Sequence, residues 1–318
     1  MKWPLLFAAA LSISACSPNR TELGAHYPPA SKSADEPWRM VASGGVPPFD
    51  DAAMAFDADR SQLVLFGGQS PDDANVLSDA TWLWDGLRWS RATPAMHPSA
   101  RSGHKMIFDQ YRGRVLLVGG MGESGKSLVD TWEWDGATWT PVDGDERSWP
   151  APSEGEVWLY DDAVRESPVL IGSTGTRQWS LQQRAWVSIK DEQGPSTLIF
   201  SIASDPIRRV AVAQVLDSTY GSSTMESTGA GWHRVVTQNY PGKKLVFDAA
   251  RRQMVMLVAT GSGHLTLERS DGLWVETSAT GPGDLTHSAI AYDSARGKVV
   301  LLEAMLQDGA FHSETWER

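Results

Sequence analysis

One repeating stretch decides the fold of this chain: Arg101-Ser-Gly-His-Lys-Met-Ile-Phe-Asp109, then Arg112-Gly-Arg-Val-Leu-Leu-Val-Gly-Gly120 and Asp130-Thr-Trp-Glu-Trp-Asp-Gly-Ala-Thr-Trp139. Its parts recur one period earlier, where Met54-Ala-Phe-Asp57 precedes Leu63-Val-Leu-Phe-Gly-Gly68. A unit of this length cannot bury its own apolar face, so the copies must stack on one another. The repeat therefore predicts the architecture before it says anything about a ligand.

Six copies follow from the aspartate that ends the first apolar run of each unit. Copies three to six keep this aspartate and the apolar runs but lose most of the paired glycines. A tryptophan that marks the fourth strand is also kept in copies three to five, at Trp186, Trp232 and Trp274. The six aspartates are Asp57, Asp109, Asp161, Asp205, Asp248 and Asp293.

Each copy is predicted to form four short β-strands. The apolar runs are rich in Val, Leu and Phe and are bounded by Asp, Gly and Pro, which favours strands over helices. Asp85-Gly86 and Asp135-Gly136 separate tryptophan-rich segments and are strong hairpin signals. In continuous apolar runs both faces of a strand are apolar, which is typical of sheets covered on both sides.

These features resemble the kelch β-propeller. The matching marks are a Gly-Gly pair after the second strand (Gly67-Gly68 and Gly119-Gly120), an acidic residue with aromatics in the third strand, and a Trp in the fourth. The resemblance covers residues 38–318 and is most specific in the first two copies. It implies an all-β, six-bladed propeller with four-stranded blades.

The ends of the chain predict how the ring closes. The sequence stops at Glu314-Thr-Trp-Glu-Arg318, inside the third strand of copy six, so a fourth strand is missing there. Pro37-Trp38-Arg-Met-Val41 stands unassigned before copy one. We expect Trp38–Val41 to complete the last blade, which would remove an exposed sheet edge.

The N-terminus resembles a bacterial lipoprotein signal. Met1-Lys2 is a positive start, an apolar stretch follows, and small residues precede Cys16. The resemblance implies cleavage, lipidation of Cys16 and an outer-membrane lipoprotein; a plain secretory signal with an incidental cysteine is the alternative. The predicted organisation is a signal peptide over 1–15, the lipidated cysteine and a flexible tether over 16–36, and a single propeller over 37–318.

Composition excludes several classes of protein. The 318 residues carry a net charge of −11 and an isoelectric point near 5.1. A basic footprint for nucleic acid is therefore absent. After the N-terminal stretch, no segment reaches the roughly 18 apolar residues that a membrane-spanning helix needs. Contact with a membrane is thus expected only through the lipid at Cys16.

A nucleotide-binding pattern occurs but lies in the wrong context. Gly120-Met-Gly-Glu-Ser-Gly-Lys-Ser127 matches the phosphate-binding loop G-x-x-x-x-G-K-[ST]. That chemistry requires a helix to begin at the lysine. Here Asp130-Thr-Trp-Glu-Trp134 follows, which aligns with a strand of the preceding copy. We expect no nucleotide to bind.

Cofactor chemistry is not expected either. Galactose oxidase, a kelch propeller, uses a tyrosine crosslinked to a cysteine, but Cys16 is the only cysteine of this chain and lies in the signal. The histidines show no H-x-H, H-x-x-x-H or H-E-x-x-H spacing. The sequence therefore predicts no metal and no cofactor, and catalytic residues stay unknown.

Binding is expected on the loops that join second to third strands and one blade to the next, because functional residues concentrate on loops of a rigid scaffold. The favoured function is a membrane-tethered, non-enzymatic scaffold for a protein or glycan. The alternative is a sugar-modifying enzyme resembling periplasmic kelch sialic-acid epimerases. An ordinary solvated loop is the other interpretation for each candidate: Arg101, His104, Lys126, Trp149, Tyr220, His264, His287 and His312.

Overall fold

A computed structural model describes residues 37–142, 157–172, 175–190, 194–195, 198–217, 221–229, 231–237, 242–260, 263–278, 281–283, 285 and 287–318. In it, six four-stranded antiparallel sheets form a ring. The innermost strand of each sheet contacts the innermost strands of both neighbouring sheets, including the first and the last. The fold is a six-bladed β-propeller, as the repeat predicted.

The first three blades follow the chain from the channel outward. In the first two blades, residues 54–57, 63–66 and 115–118 are continuously buried, in agreement with the apolar runs that predicted these strands. The strands are β2 (Ala53–Asp57), β3 (Gln62–Phe66), β4 (Thr81–Trp84) and β5 (Trp89–Ala92); β6 (Lys105–Asp109), β7 (Arg114–Val118), β8 (Thr131–Trp134) and β9 (Trp139–Pro141); β10 (Trp158–Asp162), β11 (Ser167–Gly172), β12 (Gly175–Ser180) and β13 (Ala185–Ser188).

The last three blades have longer strands. Blades four and five again run outward in chain order, whereas blade six takes its outermost strand from the other end of the chain. The strands are β14 (Leu198–Asp205), β15 (Val210–Asp217), β16 (Gly221–Ser227) and β17 (Trp232–Thr237); β18 (Gly242–Asp248), β19 (Gln253–Thr260), β20 (Gly263–Ser270) and β21 (Leu273–Ser278); β22 (Ser288–Asp293), β23 (Lys298–Gln307), β24 (Ala310–Glu317) and β1 (Arg39–Ser43).

The predicted closure is confirmed. Strand β1 pairs antiparallel with β24, and Arg39 lies opposite Glu317. The Trp38 indole is buried, and its Nε1 donates to Thr266 Oγ1 of blade five at 2.9 Å. The N-terminal segment therefore completes the last blade and also contacts the blade before it.

Tryptophans of the outermost strands join most neighbouring blades. Trp89, Trp139, Trp186 and Trp274 each donate Nε1 to a threonine in the third strand of the preceding blade, at 2.8 to 3.0 Å. Together with the Trp38 bond, this gives five equivalent junctions around the ring. The acceptors are Thr315, Thr81, Thr131, Thr224 and, for Trp38, Thr266.

The turns between first and second strands share one motif, Asp-x-x-Arg. In each turn the aspartate Oδ1 accepts from the backbone N–H of the arginine three residues later, and the two side chains form an ion pair. The pairs are Asp57–Arg60, Asp109–Arg112, Asp162–Arg165, Asp205–Arg208, Asp248–Arg251 and Asp293–Arg296.

This motif corrects the register of the third copy. The sequence interpretation used Asp161 as its marker, but β10 ends at Asp162, whose carboxylate binds the turn. Because successive side chains of a strand point to opposite faces, a shift of one residue places Asp161 on the other face. Asp161 therefore belongs with the side chains beside the channel and not with the turn.

Candidate functional site

The ring has two distinct faces around its central channel. We call the face with the turns between first and second strands the turn face. The loop face carries the connections from second to third strands and from blade to blade. A central cavity of about 870 Å³ is lined by inner strands of all six blades and reaches the turn face. The binding residues predicted from the sequence were expected on the loop face.

Arg101 is fully buried, so it does not lie on the loop surface. Its guanidinium makes a two-pronged ion pair with Asp130, at 2.6 and 2.8 Å, and also donates to the Gly119 carbonyl at 2.9 Å. Burial opposes ionisation of Asp130, but the bonds and charge of Arg101 hold the pKa of this carboxyl below its usual range. Arg101 thus connects the loop that enters blade two to the third-strand side of that blade.

His104 is also buried, against the ring of Phe66 at a centroid distance of 5.6 Å. Burial, with the charges of Arg101 and Lys105, lowers the pKa of His104 to about 3, so the imidazole is neutral. A Cβ on Gly67 would lie 2.8 Å from this ring and 2.6 Å from the Arg101 carbonyl. The glycine pair of the repeat therefore makes room for the next blade.

His264 supports the closure of the ring. It is 3% exposed and lies edge-on to Trp38, with ring centroids 6.3 Å apart. Its Nδ1 is hydrogen-bonded to the Pro282 carbonyl, and burial lowers its pKa. This histidine lies in the core between blades five and six.

His287 and His312 lie nearer to solvent. His287 is partly exposed, its Nδ1 is 2.6 Å from Asp50 Oδ1, and its ring lies edge-on to Phe311. His312 is exposed on β24. Of the predicted candidates in the described residues, His287 is the one with a polar partner at the channel.

Lys126 is exposed, and no helix begins there. Glu123–Gly125 form a single 3₁₀ turn, and Lys126 itself is extended, with φ −73° and ψ 118°. Ser127 forms a bridge with Met121, and the chain then enters β8. The geometry that cradles phosphate at a helix N-terminus is not formed by Gly120–Ser127. Trp149 and Tyr220 lie outside the described residues.

Side chains at the starts of the inner strands connect neighbouring blades on the loop face. Besides Asp50–His287, three contacts are described there, and we call the four together the polar mouth. Ser102 Oγ donates to Gln69 Oε1 at 3.3 Å, and Lys244 Nζ donates to the Ser288 carbonyl at 2.5 Å. The Lys105 ammonium lies 4.5 Å from the centre of the Trp158 indole ring.

Sequence reasoning missed Asp161 beside the central cavity. Its Oδ2 accepts from Gln110 Nε2 at 2.6 Å, and burial, with the nearby charges of Asp109 and Asp162, raises its pKa to about 7. The available signal was the Asp-x-x-Arg spacing, which aligns Asp161 with Phe56 and Phe108 of the preceding blades. A carboxyl at a position where two preceding blades carry phenylalanine indicates a polar point in the cavity wall.

Two further findings bear on cofactors and membranes. Across the described ranges, no group of three or more His, Cys, Asp or Glu side chains is arranged to hold a metal ion. In the same part of the chain no helix has the length and apolar character required to cross a bilayer.

Solved structures with similar folds are β-propellers of distant sequence. "Structure of YjhT" covers 87% of this chain and 95% of its own, with a TM-score of 0.55 and 9% identity. The match to a glucose dehydrogenase covers 89% of this chain and 99% of that one, with a TM-score of 0.51 and 12% identity. The match to the SapL1 lectin in complex with alpha methyl fucoside covers 81% of this chain and 88% of that one, with a TM-score of 0.52 and 12% identity. At such identities the likeness establishes the fold alone.

Sequence comparisons are sparse. A segment of 82 residues, 25% of this chain, is 29% identical to dynein regulatory complex subunit 7 of Chlamydomonas reinhardtii. That segment spans only 7% of the length of this relative. No protein-family model matches the chain, so the kelch subtype stays a prediction.

Proposed function

We propose that this protein is a non-enzymatic glycan-binding propeller of the bacterial envelope, anchored by a lipid at Cys16. The glycan would lie over the polar mouth on the loop face. The lipid would attach the ring to a membrane through the tether over residues 16–36. The propeller fold is compatible with a binding scaffold.

The polar mouth carries the proposal. A sugar offers hydroxyl groups and an apolar ring face, and its sites combine a few polar groups with aromatic side chains. His287 and Asp50 provide a donor and an acceptor in fixed geometry. Trp158 is half-buried beside the Lys105 ammonium, so it joins an aromatic surface to a cation.

The buried positions of Arg101 and His104 favour binding over catalysis. An enzyme acting on an acidic sugar would benefit from an accessible arginine near an acid–base pair. The Arg101 guanidinium is paired with the Asp130 carboxylate, and His104 is buried and neutral. His287–Asp50 is the pair that would serve the alternative, a sugar-modifying enzyme. The lectin among the structural neighbours supports a carbohydrate ligand.

The test is binding of the full-length chain to an array of bacterial-envelope glycans, followed by titration of a bound sugar. We expect His287→Ala to weaken binding at least about tenfold, because the sugar loses a polar side chain that it would contact in the polar mouth. His97→Ala is the matched control, since His97 also lies beside a carboxylate, with its Nδ1 3.9 Å from Asp79 Oδ2, and should bind normally.

Two results would redirect the proposal. Equal binding by wild type and His287→Ala would remove the polar mouth as the site. Recovery of a chemically changed sugar, lost in His287→Ala, would establish the enzyme instead. The anchor is tested separately: Cys16→Ala should leave the membrane fraction and lose the mass of the lipid.

A further inference from the structure

The central cavity on the turn face is a second pocket, separate from the polar mouth. Its volume of about 870 Å³ lies within the range of small-molecule sites. Its wall is largely apolar and includes Phe56, Phe108, Phe247 and Tyr292. Such a wall suits an apolar or aromatic ligand body of modest size.

The carboxyl of Asp161 lies in the largely apolar wall. Asp161 lies one residue before its turn aspartate, and the other blades carry Phe56, Phe108, Ser204, Phe247 and Tyr292 at this position. Gln110 occupies one carboxylate oxygen, Oδ2. The other, Oδ1, is buried and has no hydrogen-bond partner among the described residues. An unpaired carboxylate oxygen in apolar surroundings is costly, and a ligand donor would relieve that cost.

We propose that this cavity binds a small organic amine, whose ammonium donates to Asp161 Oδ1 while its apolar body lies against the aromatic wall. The aromatic faces would also attract the cation. This site lies on the opposite face from the proposed glycan site and does not depend on it. Either proposal can fail without the other, since their probes and variants differ.

The charges around Asp161 favour a cation over an anion. The groups that face it or act on it are Gln110, the Ser204 hydroxyl, Tyr111 and the carboxyls of Asp109 and Asp162. Both neighbouring carboxyls disfavour its ionisation, and burial does so more strongly. At the cavity rim, Arg296 is already paired with Asp293 and Glu317. A cationic ligand supplies the positive charge that Asp161 lacks.

The test uses the full-length chain and three probes of similar size, titrated by calorimetry: 2-phenylethylamine, 2-phenylethanol and 3-phenylpropanoate. We expect the amine to bind best and the carboxylate worst. Asp161→Asn should weaken amine binding at least about tenfold, as expected for loss of a charge-assisted hydrogen bond, and leave alcohol binding unchanged. The control is Asp59→Asn, which changes a carboxyl at the cavity rim and should bind as wild type does.

A pH series on the wild type tests the same contact without a substitution. The amine stays protonated because its pKa lies near that of lysine, about 10.4. Asp161, with a pKa of about 7, ionises between pH 6 and 8. Amine affinity should therefore rise about tenfold over this range. The proposal is overturned by a flat pH series, by equal amine binding in Asp161→Asn, or by no amine binding at millimolar concentration.

Discussion

The turn face repeats one contact six times, whereas the contacts of the polar mouth differ at each of the four junctions where they are described. Each turn pairs an aspartate with the arginine three residues later. The loop face instead has an imidazole–carboxylate pair, two dissimilar hydrogen bonds and a cation over an indole. The repeated contact therefore maintains the ring, while the contacts that do not repeat vary from one junction to the next.

Removing the closing strand should have the largest effect, because it breaks the ring on which both faces depend. Deletion of residues 37–42 takes away most of β1, together with the buried Trp38 indole and its bond to Thr266. We expect the cooperative thermal transition, followed by circular dichroism, to disappear. An unchanged melting transition would contradict closure through β1.

Breaking one turn should lower the free energy of unfolding less than opening the ring does, but more than any change on the loop face does. Asp248 is fully buried and its Oδ2 lies 2.6 Å from Arg251 Nη1. Asp248→Ala removes this buried ion pair and also the carboxylate that accepts from the backbone N–H of Arg251, so the free energy of unfolding should fall by about 3 kcal/mol.

The matched control for that turn is Asp85, which is exposed and accepts from the backbone N–H groups of Leu87 and Arg88. Asp85→Ala should cost about 1 kcal/mol or less. Both free energies come from urea unfolding. Equal costs for the two variants would mean that the buried ion pairs do not stabilise the ring.

A smaller difference in the free energy of unfolding is expected between two junctions of the ring, those at Trp139 and at Trp232. Trp139 Nε1 donates to Thr81 at 2.9 Å, whereas neither Trp232 Nε1 nor its counterpart Thr176 Oγ1 has a hydrogen-bond partner among the described residues. Trp139→Phe should lower the free energy of unfolding by about 1–2 kcal/mol through the lost bond. Trp232→Phe should lower it less, and a reversal of this order would show that the bonds do not decide stability at the junctions.

Much of the fold could be predicted because it depends on local patterns. Apolar runs, Asp-Gly turns and the unassigned Trp38 were enough for six blades and their closure. The third blade was misregistered at Asp161 because the first-strand aspartate has an identical neighbour, Asp162. The arginine at Arg165, three residues after Asp162, would have resolved the choice.

The candidate site was harder to predict. His287 was among the predicted loop-face candidates, but its partner Asp50 is distant in sequence and contacts it only where blade six adjoins blade one. Arg101 and His104 looked like loop-face ligands, yet both are buried, Arg101 on Asp130 and His104 against Phe66 of blade one. The direction and burial of such side chains depend on a neighbouring sheet, which a single repeat does not contain.

The number of blades and the closing strand could be predicted from the amino-acid sequence, which also contains the Asp-x-x-Arg spacing of the turns, because each follows from contacts within one repeat or from the repeat count. Tertiary structure alone decided which polar side chains remain accessible. It buried Arg101, His104 and His264, joined His287 to Asp50, and placed Asp161 beside an apolar cavity. The physical reason is that burial and pKa are set by groups from other blades, which ring closure brings together.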